Sequence, residues 1–173
     1  MFSGTPVAES RSSIRVVVVG DHGTGKSSLI AAAASESFLE SVPSVLPSTC
    51  LPADYFEGGV PVIIIDTSSS LEGKAKLEEE SMWGTDVIVL TYACDKPETL
   101  DSLQNFWIHE IRRLKVKVPV IVVGCKSDLI DEYYPMSKEQ VADPIMQQYT
   151  EIEVWRECSA AKLDQASIYS DVY

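Results

Sequence analysis

The stretch GDHGTGKSS at residues 20–28 restricts the possible folds more than any other part of the chain, and it follows directly on the apolar run IRVVVV. Gly20 to Ser27 have the spacing G-x-x-x-x-G-K-S. Such a loop can bind phosphate when a strand precedes it and a helix follows it, because its backbone N–H groups and the positive helix end then face one anion. The stretch therefore predicts a strand, a phosphate-binding loop and a helix, in that order.

Four short apolar runs predict strands that are buried on both faces of a sheet. They are β-branched, continuous and not alternating, which is typical of parallel strands covered by helices on either side. The runs are IRVVVVG (14–20), PVIIIDT (61–67), DVIVLTYA (86–93) and PVIVVGCK (119–126). Helical patterns follow at 25–35, 96–114 and 137–149.

Two further stretches complete the predicted sheet. LPADYFEGGVPVIII (51–65) predicts a strand, a turn at Gly58-Gly59 and a second, antiparallel strand. VWRECSA (154–160) predicts a last short strand and a loop. The order of strands and helices predicts a three-layer α/β fold around a six-stranded, mostly parallel sheet with one antiparallel strand.

The chain length of 173 residues suits one globular domain. Residues 1–13 are small and polar and are expected to form a flexible lead-in to a domain that spans 14–173. The final stretch KLDQASIYSDVY (162–173) predicts the start of a further helix. Because the sequence stops at Tyr173, that last helix is expected to be incomplete.

The composition argues against several classes of partner. A net charge of −12 disfavours a nucleic-acid interface, since phosphate backbones bind basic surfaces. No apolar run approaches the ~20 residues that span a bilayer, so we expect no membrane span and a cytosolic chain. The four cysteines contain no C-x-x-C pair, which favours reduced thiols in a reducing compartment.

The loop and a later strand end supply candidate phosphate and metal ligands. Lys26 is expected to place its ammonium at the β- and γ-phosphates of a nucleotide, and Ser27 to ligate Mg²⁺. Asp66 ends the strand PVIIID, where its carboxylate can hold the same ion, usually through water. Taken alone, Asp66 is equally consistent with a cap on the next helix.

Two later strand ends supply a candidate base site. In GCKSD (124–128), Lys126 can lay its methylene stem across a purine ring. Asp128 can accept hydrogen bonds from the N1–H and N2–H₂ groups of guanine, which adenine lacks, so the wrong base leaves the carboxylate unpaired. ECSA (157–160) can offer backbone N–H groups to the guanine O6.

These motifs, in this order, resemble the Ras superfamily of small GTPases over nearly the whole chain. Longer stretches are similar to the N-terminal GTPase domain of the Miro family, the mitochondrial Rho GTPases. They include VVVVGDHGTGKSSLI, LTYACDKPETLDSLQNFWIHEIRRL, VGCKSDL and PIMQQYTEIEVWRECSA. The resemblance implies a P-loop GTPase fold, bound GTP or GDP with Mg²⁺, and switching between two states.

The resemblance also implies the roles of individual residues. The implied nucleotide contacts are His22, Gly23, Thr24, Gly25, Lys26, Ser27, Ser28, Ser68, Cys125, Lys126, Asp128, Ser159, Ala160 and Ala161. The implied metal ligands are Ser27, Asp66 and Ser44, and the implied catalytic residues are Lys26, Ser69 and Ser70.

Two departures from the family pattern concern the γ-phosphate. DTSSS puts Ser69 in the place of a glycine whose amide meets the γ-phosphate and Ser70 in the place of the glutamine that orients the attacking water. Hydrolysis should therefore be slow. Val45 stands near the place of the switch I threonine, and either Ser44 or a backbone carbonyl could replace its metal contact.

Two more departures concern the loop and the base. Cys125 replaces an asparagine that ties the base loop to the phosphate loop, and a thiol is a poor hydrogen-bonding group, so weaker guanine affinity is expected. His22 stands where many family members have glycine. It either crowds an arginine finger supplied by an activating protein or is a tolerated solvent-facing residue.

Two functions stay open: a switch that hydrolyses GTP slowly, and a scaffold that holds GTP without turnover. A P-loop kinase is disfavoured, because the chain shows no arginine-bearing lid. By resemblance alone, the full-length protein would bind effectors, regulators and motor adaptors in mitochondrial transport and dynamics. It would lie on the cytosolic face of the outer mitochondrial membrane through an anchor that this chain lacks.

A charged run and the three tryptophans are expected to be structural. The run KLEEE (76–80) is expected to be a solvated helix face first and a partner site only second. Trp83, Trp107 and Trp155 are expected to be core or partly buried aromatics.

Overall fold

A computed structural model describes residues 12–55, 59–67, 70–130 and 138–162. It contains a six-stranded sheet in the order β2-β3-β1-β4-β5-β6. The strands are β1 (Ile14–Gly20), β2 (Thr49–Leu51), β3 (Val62–Ile65), β4 (Val87–Ala93), β5 (Val120–Cys125) and β6 (Ile152–Glu157). Among the strands of the described residues, only the β2–β3 pair is antiparallel. The predicted three-layer α/β fold with one antiparallel strand is therefore confirmed.

Helices connect the strands on both sides of the sheet. They are α1 (Lys26–Ser35), α2 (Ser70–Trp83), α3 (Pro97–Ser102), α4 (Ile108–Arg113) and α5 (Lys138–Gln148), with short 3-10 turns at Ala53–Tyr55 and Ser127–Leu129. A π-helical segment, Leu103–Trp107, joins α3 to α4. No helix among the described residues is both long and apolar enough to cross a membrane.

The sheet is buried on both faces, as the continuous apolar runs predict. In β1, Val17 and Val19 belong to one core cluster, while Val16 and Val18 belong to another. Successive side chains of a strand point to opposite faces, so the two clusters lie on the two sides of the sheet. Both clusters hold β-branched residues of the central strands, which is why these strands show no polar alternation.

The antiparallel pair differs in detail from its prediction. β2 pairs with β3 through Thr49↔Ile64 and Leu51↔Val62, so β2 already ends at Leu51. A 3-10 turn follows, in which the Tyr55 N–H donates to the Pro52 carbonyl at 3.0 Å. The predicted two-residue turn is wrong, because Pro52 lacks the N–H that a longer ladder needs. Gly58 itself lies outside the described residues.

The predicted long helix at 96–114 is interrupted. Its backbone stays right-handed at both junctions, but the Ile108 N–H donates to the Leu103 carbonyl, five residues earlier. The wider turn buries Leu103, Trp107, Ile108 and Ile111 completely or nearly so. Leu100, Phe106 and Leu114, the other apolar residues at helical spacing in 96–114, are partly buried against this core.

Helix α2 corrects two predictions. Glu80 lies in the run predicted to be solvated, yet its side chain is 6 % exposed and pairs with Arg15 and Lys76. Trp83 was predicted to be at least partly buried, but it is 74 % exposed at the end of α2. Trp107 and Trp155 are both buried, as predicted. Residues 163–173, where the incomplete last helix is predicted, lie outside the described residues.

Candidate functional site

The loop between β1 and α1 has the backbone shape that its glycines allow. Gly23 and Gly25 have φ values of 76° and 104°, which side chains disfavour. At Gly20, a Cβ atom would come within 2.2 Å of Thr91 Oγ1 and 2.5 Å of the Thr91 carbonyl oxygen. The start of the loop can thus contact β4 only because residue 20 has no side chain. Helix α1 begins directly after it, at Lys26.

The side chain of Lys26, the first residue of α1, folds back onto this loop. It is 5 % exposed, and its Nζ donates to the carbonyl oxygens of Gly20 at 2.9 Å and Asp21 at 2.8 Å. Burial lowers the pKa of the ammonium, while the nearby Asp66 and Asp21 carboxylates oppose that shift. The carbonyls of the loop thus contact the ammonium, and the phosphate contact of Lys26 stays a prediction.

Thr24 holds the middle of the loop against the sheet. Its side chain is fully buried, and its hydroxyl lies 2.8 Å from Thr91 Oγ1 and 3.0 Å from the Asp21 carbonyl oxygen. Thr91 in turn donates to the Val19 carbonyl at 3.1 Å. Only the backbone of Thr24 is therefore placed to meet a nucleotide. His22 and Gly23 are exposed at the tip of the loop.

Three oxygen atoms that could ligate a metal ion lie together at the start of α1. The Ser27 hydroxyl donates to Asp66 Oδ2 at 2.5 Å and lies 3.2 Å from the Ser44 carbonyl oxygen. The Leu46 N–H also donates to Asp66 Oδ2, at 2.9 Å. A hydroxyl, a carboxylate and a carbonyl are hard oxygen ligands of the kind that Mg²⁺ accepts, so this set fits the ion. Of the two options at Ser44, the backbone carbonyl is in contact with Ser27.

An apolar cavity of about 200 Å³ lies beside the loop. Its wall contains Gly25, Ser28, Leu29, Phe38, Cys125, Lys126, Asp128, Leu129, Cys158, Ala160 and Ala161. The Asp128 carboxylate is held by the buried Ser159 hydroxyl, which donates to Oδ1 at 2.6 Å. Lys126 spans from this wall to the loop, where its Nζ donates to the Gly23 carbonyl at 2.8 Å. The predicted base-site residues are therefore brought together.

Cys125 packs at the junction of the cavity and the loop. Cys125 is buried. A Cβ atom added to Gly25 would lie 3.2 Å from the Cβ atom of Cys125. A hydrogen bond with the Cys158 thiol and burial both raise the pKa of Cys125, so it stays protonated. Contact with the loop is thus made by packing where the family pattern uses an amide.

Phe38 is a cavity residue that the sequence analysis missed. Its ring lines the cavity and is 44 % exposed, although large apolar side chains are normally buried. The signal was available, since Phe38 is the only aromatic residue in the segment between α1 and β2. Phe38 and Lys126 both line the cavity, and the flat apolar ring of a phenylalanine suits contact with an aromatic base.

The predicted catalytic serines are only partly described. Ser68 and Ser69 lie outside the described residues. Ser70 is the first residue of α2, but its side chain is not described. Thr67 is the last described residue before Ser68. Its hydroxyl donates to the Val18 carbonyl at 2.8 Å, which fixes the Thr67 side chain.

Comparisons with known proteins agree with this geometry. The Ras family model matches residues 15–167. The chain is 54% identical to Mitochondrial Rho GTPase 2 of Arabidopsis thaliana over 165 residues, covering 95% of the chain and 26% of that protein. It is 55% identical to Mitochondrial Rho GTPase 1 of Arabidopsis thaliana over 157 residues, covering 91% of the chain and 24% of that protein. Mitochondrial Rho GTPase 1 of Mycosarcoma maydis is 37% identical over 151 residues, covering 87% of the chain and 20% of that protein. The chain thus spans about a quarter of the length of the curated relatives it matches.

Proposed function

The chain belongs to the Ras family, whose general activity is GTP hydrolysis, and from this premise we propose that it binds Mg²⁺·GTP and hydrolyses it slowly to GDP. The observation that carries the proposal is the Asp128 carboxylate, fixed by Ser159 in the wall of a cavity that adjoins the phosphate loop. This carboxylate can pair with the N1–H and N2–H₂ groups of guanine. Adenine offers neither group, so the site selects GTP over ATP.

The phosphates would lie over the loop and the start of α1. Backbone N–H groups of the loop and of the start of α1 would bind them, and the Lys26 ammonium can turn one of its N–H bonds to the β- and γ-phosphates. Ser27 and Asp66 would hold Mg²⁺, with the Ser44 carbonyl next to them. When bound, the ion neutralises phosphate charge as the γ-phosphoryl group departs.

We expect hydrolysis to be slow because the residue four positions after Asp66 is Ser70 and not the glutamine of the family pattern. Ser69 and Ser70 are too short to position an attacking water as a glutamine does, so the rate depends on the loop amides, Lys26 and the ion. The alternative is a scaffold that keeps GTP uncleaved. The substitution of serine for glycine and glutamine favours that alternative. The Ser27 and Asp66 oxygens, which fit Mg²⁺ beside Lys26, favour the switch, because these groups can stabilise the charge that develops on hydrolysis.

We further propose that the full-length protein works at mitochondria. The names of the relatives support this, since they are called mitochondrial Rho GTPases. Placement on the cytosolic face of the outer membrane belongs to the same proposal, as do binding of effectors, regulators and motor adaptors and a role in mitochondrial transport and dynamics. The experiment is to express the full-length protein with a tag and follow its protease sensitivity on isolated mitochondria.

The enzymatic proposal is tested by single-turnover hydrolysis of γ-labelled GTP with Mg²⁺. ATP and the Lys26→Ala variant serve as controls. Slow release of labelled phosphate from GTP, absent with ATP and lost in the variant, supports a guanine-specific hydrolase. If GTP stays bound and uncleaved, hydrolysis is contradicted and the scaffold function is supported. Equal use of ATP contradicts the role assigned to Asp128.

A further inference from the structure

Trp107 connects the phosphate loop to a helix that lies far from it in sequence. Its side chain is fully buried, and the indole Nε1–H donates to Asp21 Oδ1 at 3.0 Å. Asp21 is the first residue after Gly20 in the loop. The indole N–H has no other acceptor among the described residues, and a buried N–H left without one is costly. The contact is therefore a defined part of the fold.

The π-helical segment Leu103–Trp107 gives the indole its position. Its hydrogen bond over five residues widens the turn and rotates the residues that follow it. Leu103 and Ile108 both face the core with Trp107 and are fully buried. Single π turns of this kind are frequent at functional sites. Here the turn places a hydrogen-bond donor at the end of the sheet where the loop lies.

The contact acts on the peptide group that binds Lys26. The Asp21 carbonyl oxygen accepts from the Lys26 ammonium at 2.8 Å and from the Thr24 hydroxyl at 3.0 Å. A bond to the Asp21 side chain thus fixes the same residue from its other end. It also holds the Asp21 carboxylate against the indole N–H. Without that bond, the carboxylate could rotate and repel the phosphates.

The opposite edge of the indole meets the start of α2. A Cβ atom on Gly73 would lie 2.9 Å from Trp107 Cη2 and 3.3 Å from Thr67 Oγ1. Gly73 is buried within the first turn of the helix, so no atom separates its backbone from the ring. A displacement of this turn therefore presses on, or opens a gap beside, the same ring that holds Asp21.

We propose that Trp107 is a positioning residue that holds the phosphate loop through Asp21 and couples it to the first turn of α2. The inference rests on the proposed function, because it assigns to this contact the control of nucleotide retention. When α2 moves between the two nucleotide states, the indole transmits that movement to the residue whose carbonyl binds Lys26.

The test measures the dissociation rate of a fluorescent GDP analogue from four variants of the chain. Asp21→Ala and Trp107→Phe should each raise the rate about tenfold, as expected for one lost hydrogen bond to a charged group. Their double variant should be no faster than either single one, because both remove the same contact. Asp21→Asn keeps an oxygen acceptor for the indole and should return the rate to within about threefold of wild type.

Trp155→Phe is the matched control, because Trp155 is also buried and donates its indole N–H, but to the Tyr92 hydroxyl at 3.3 Å. It should leave the dissociation rate unchanged. Asp21→Ala keeps the result readable if Trp107→Phe loosens the core, since Asp21 is only half-buried in the loop. Additive effects of Asp21→Ala and Trp107→Phe overturn the inference, as does a wild-type rate in Asp21→Ala.

Indole fluorescence supplies an independent readout. In the Trp83→Phe/Trp155→Phe background, Trp107 is the only tryptophan, and its emission should change when GDP is exchanged for a non-hydrolysable GTP analogue. Identical emission in both states overturns the coupling to α2. If wild-type chain does not retain GDP at all, the proposed function fails and takes this inference with it. Retention at wild-type rates in every variant overturns the inference alone.

Discussion

The Ser159 hydroxyl donates a 2.6 Å hydrogen bond to Oδ1 of Asp128, joining the ends of two neighbouring parallel strands. Ser159 is fully buried, so its hydroxyl does not exchange this partner for water. The carboxylate therefore has a fixed direction before any base arrives. A group that is already oriented loses little entropy on binding, which favours both affinity and selectivity.

Replacing Asp128 should remove guanine selectivity. Asp128→Ala leaves two guanine donors without acceptors, and we expect GDP affinity to fall at least about 100-fold. Ser159→Ala keeps the carboxylate but frees its direction, so its loss should be smaller, about 10-fold. Titration with a fluorescent GDP analogue measures both. An affinity in Asp128→Ala within threefold of wild type would contradict the base-site assignment.

A side chain at Gly20 should damage the phosphate loop. Its Cβ would overlap Thr91, and its φ of 148° also disfavours a side chain. Gly20→Ala is expected to lower the free energy of unfolding by about 1–3 kcal/mol beyond the backbone strain, through overpacking. Gly59→Ala is the matched control. Gly59 has a φ of 62° and open space around its Cβ position, so only strain of about 1–2 kcal/mol is expected. Urea denaturation separates the two.

The buried carboxylate of Glu80 should make the free energy of unfolding depend on pH in the acid range. Burial alone would raise its pKa, but hydrogen bonds from Arg15 and Lys76 outweigh burial and lower the pKa below its usual 4.5. The resulting stabilisation is present above about pH 4.5 and is lost as the pH falls through the lower, native pKa.

Glu80→Gln is therefore expected to reduce the free energy of unfolding by about 1–3 kcal/mol at pH 7 and by less below pH 4. Glu79→Gln is the control, since Glu79 pairs with the same Lys76 but its side chain is 57% exposed. Such a pair contributes at most about 1 kcal/mol. Thermal unfolding at several pH values measures the difference, and a parallel pH profile in wild type and Glu80→Gln would refute it.

The cysteines should differ sharply in reactivity. Cys50 is exposed on the edge strand β2, whereas Cys125 and Cys158 are buried. Burial, and less so the nearby Glu157, raises the pKa of Cys94 to about 12, so its thiol is not ionised near neutral pH. Iodoacetamide at pH 7.5 should modify Cys50 alone in the native chain. Mass spectrometry identifies the modified peptide, and early labelling of Cys125 would show that the base site opens.

The elements around the site were predictable from the sequence because their signals are local. A G-x-x-x-x-G-K-S loop after a β-branched run, and Asp66 and Asp128 at the ends of later runs, meet at one edge of a parallel sheet whatever the details of packing. The antiparallel pair was also predicted, although its turn was wrong. Local patterns do not specify where Pro52 ends a ladder.

The contacts that the sequence analysis missed join residues far apart in the chain. Trp107 and Asp21 are 86 positions apart, and Arg15 and Glu80 are 65 apart. The periodicity of 96–114 marks Trp107 as a core residue but not the π turn that directs its N–H. In the same way, the charged run at 76–80 gives no sign that Glu80 faces inward toward Arg15. Partner choice at this distance is decided by tertiary packing.

The hydrogen bonds to the loop carbonyls have a consequence for the kinetics of nucleotide entry. The carbonyl oxygens of Gly20, Asp21 and Gly23 accept hydrogen bonds from the ammonium groups of Lys26 and Lys126. The conformational entropy of the loop is thus lost during folding, and an arriving phosphate does not have to order it again. Association should therefore be limited by diffusion and by access to the cavity, so that differences in affinity between variants arise mainly from how fast the nucleotide leaves.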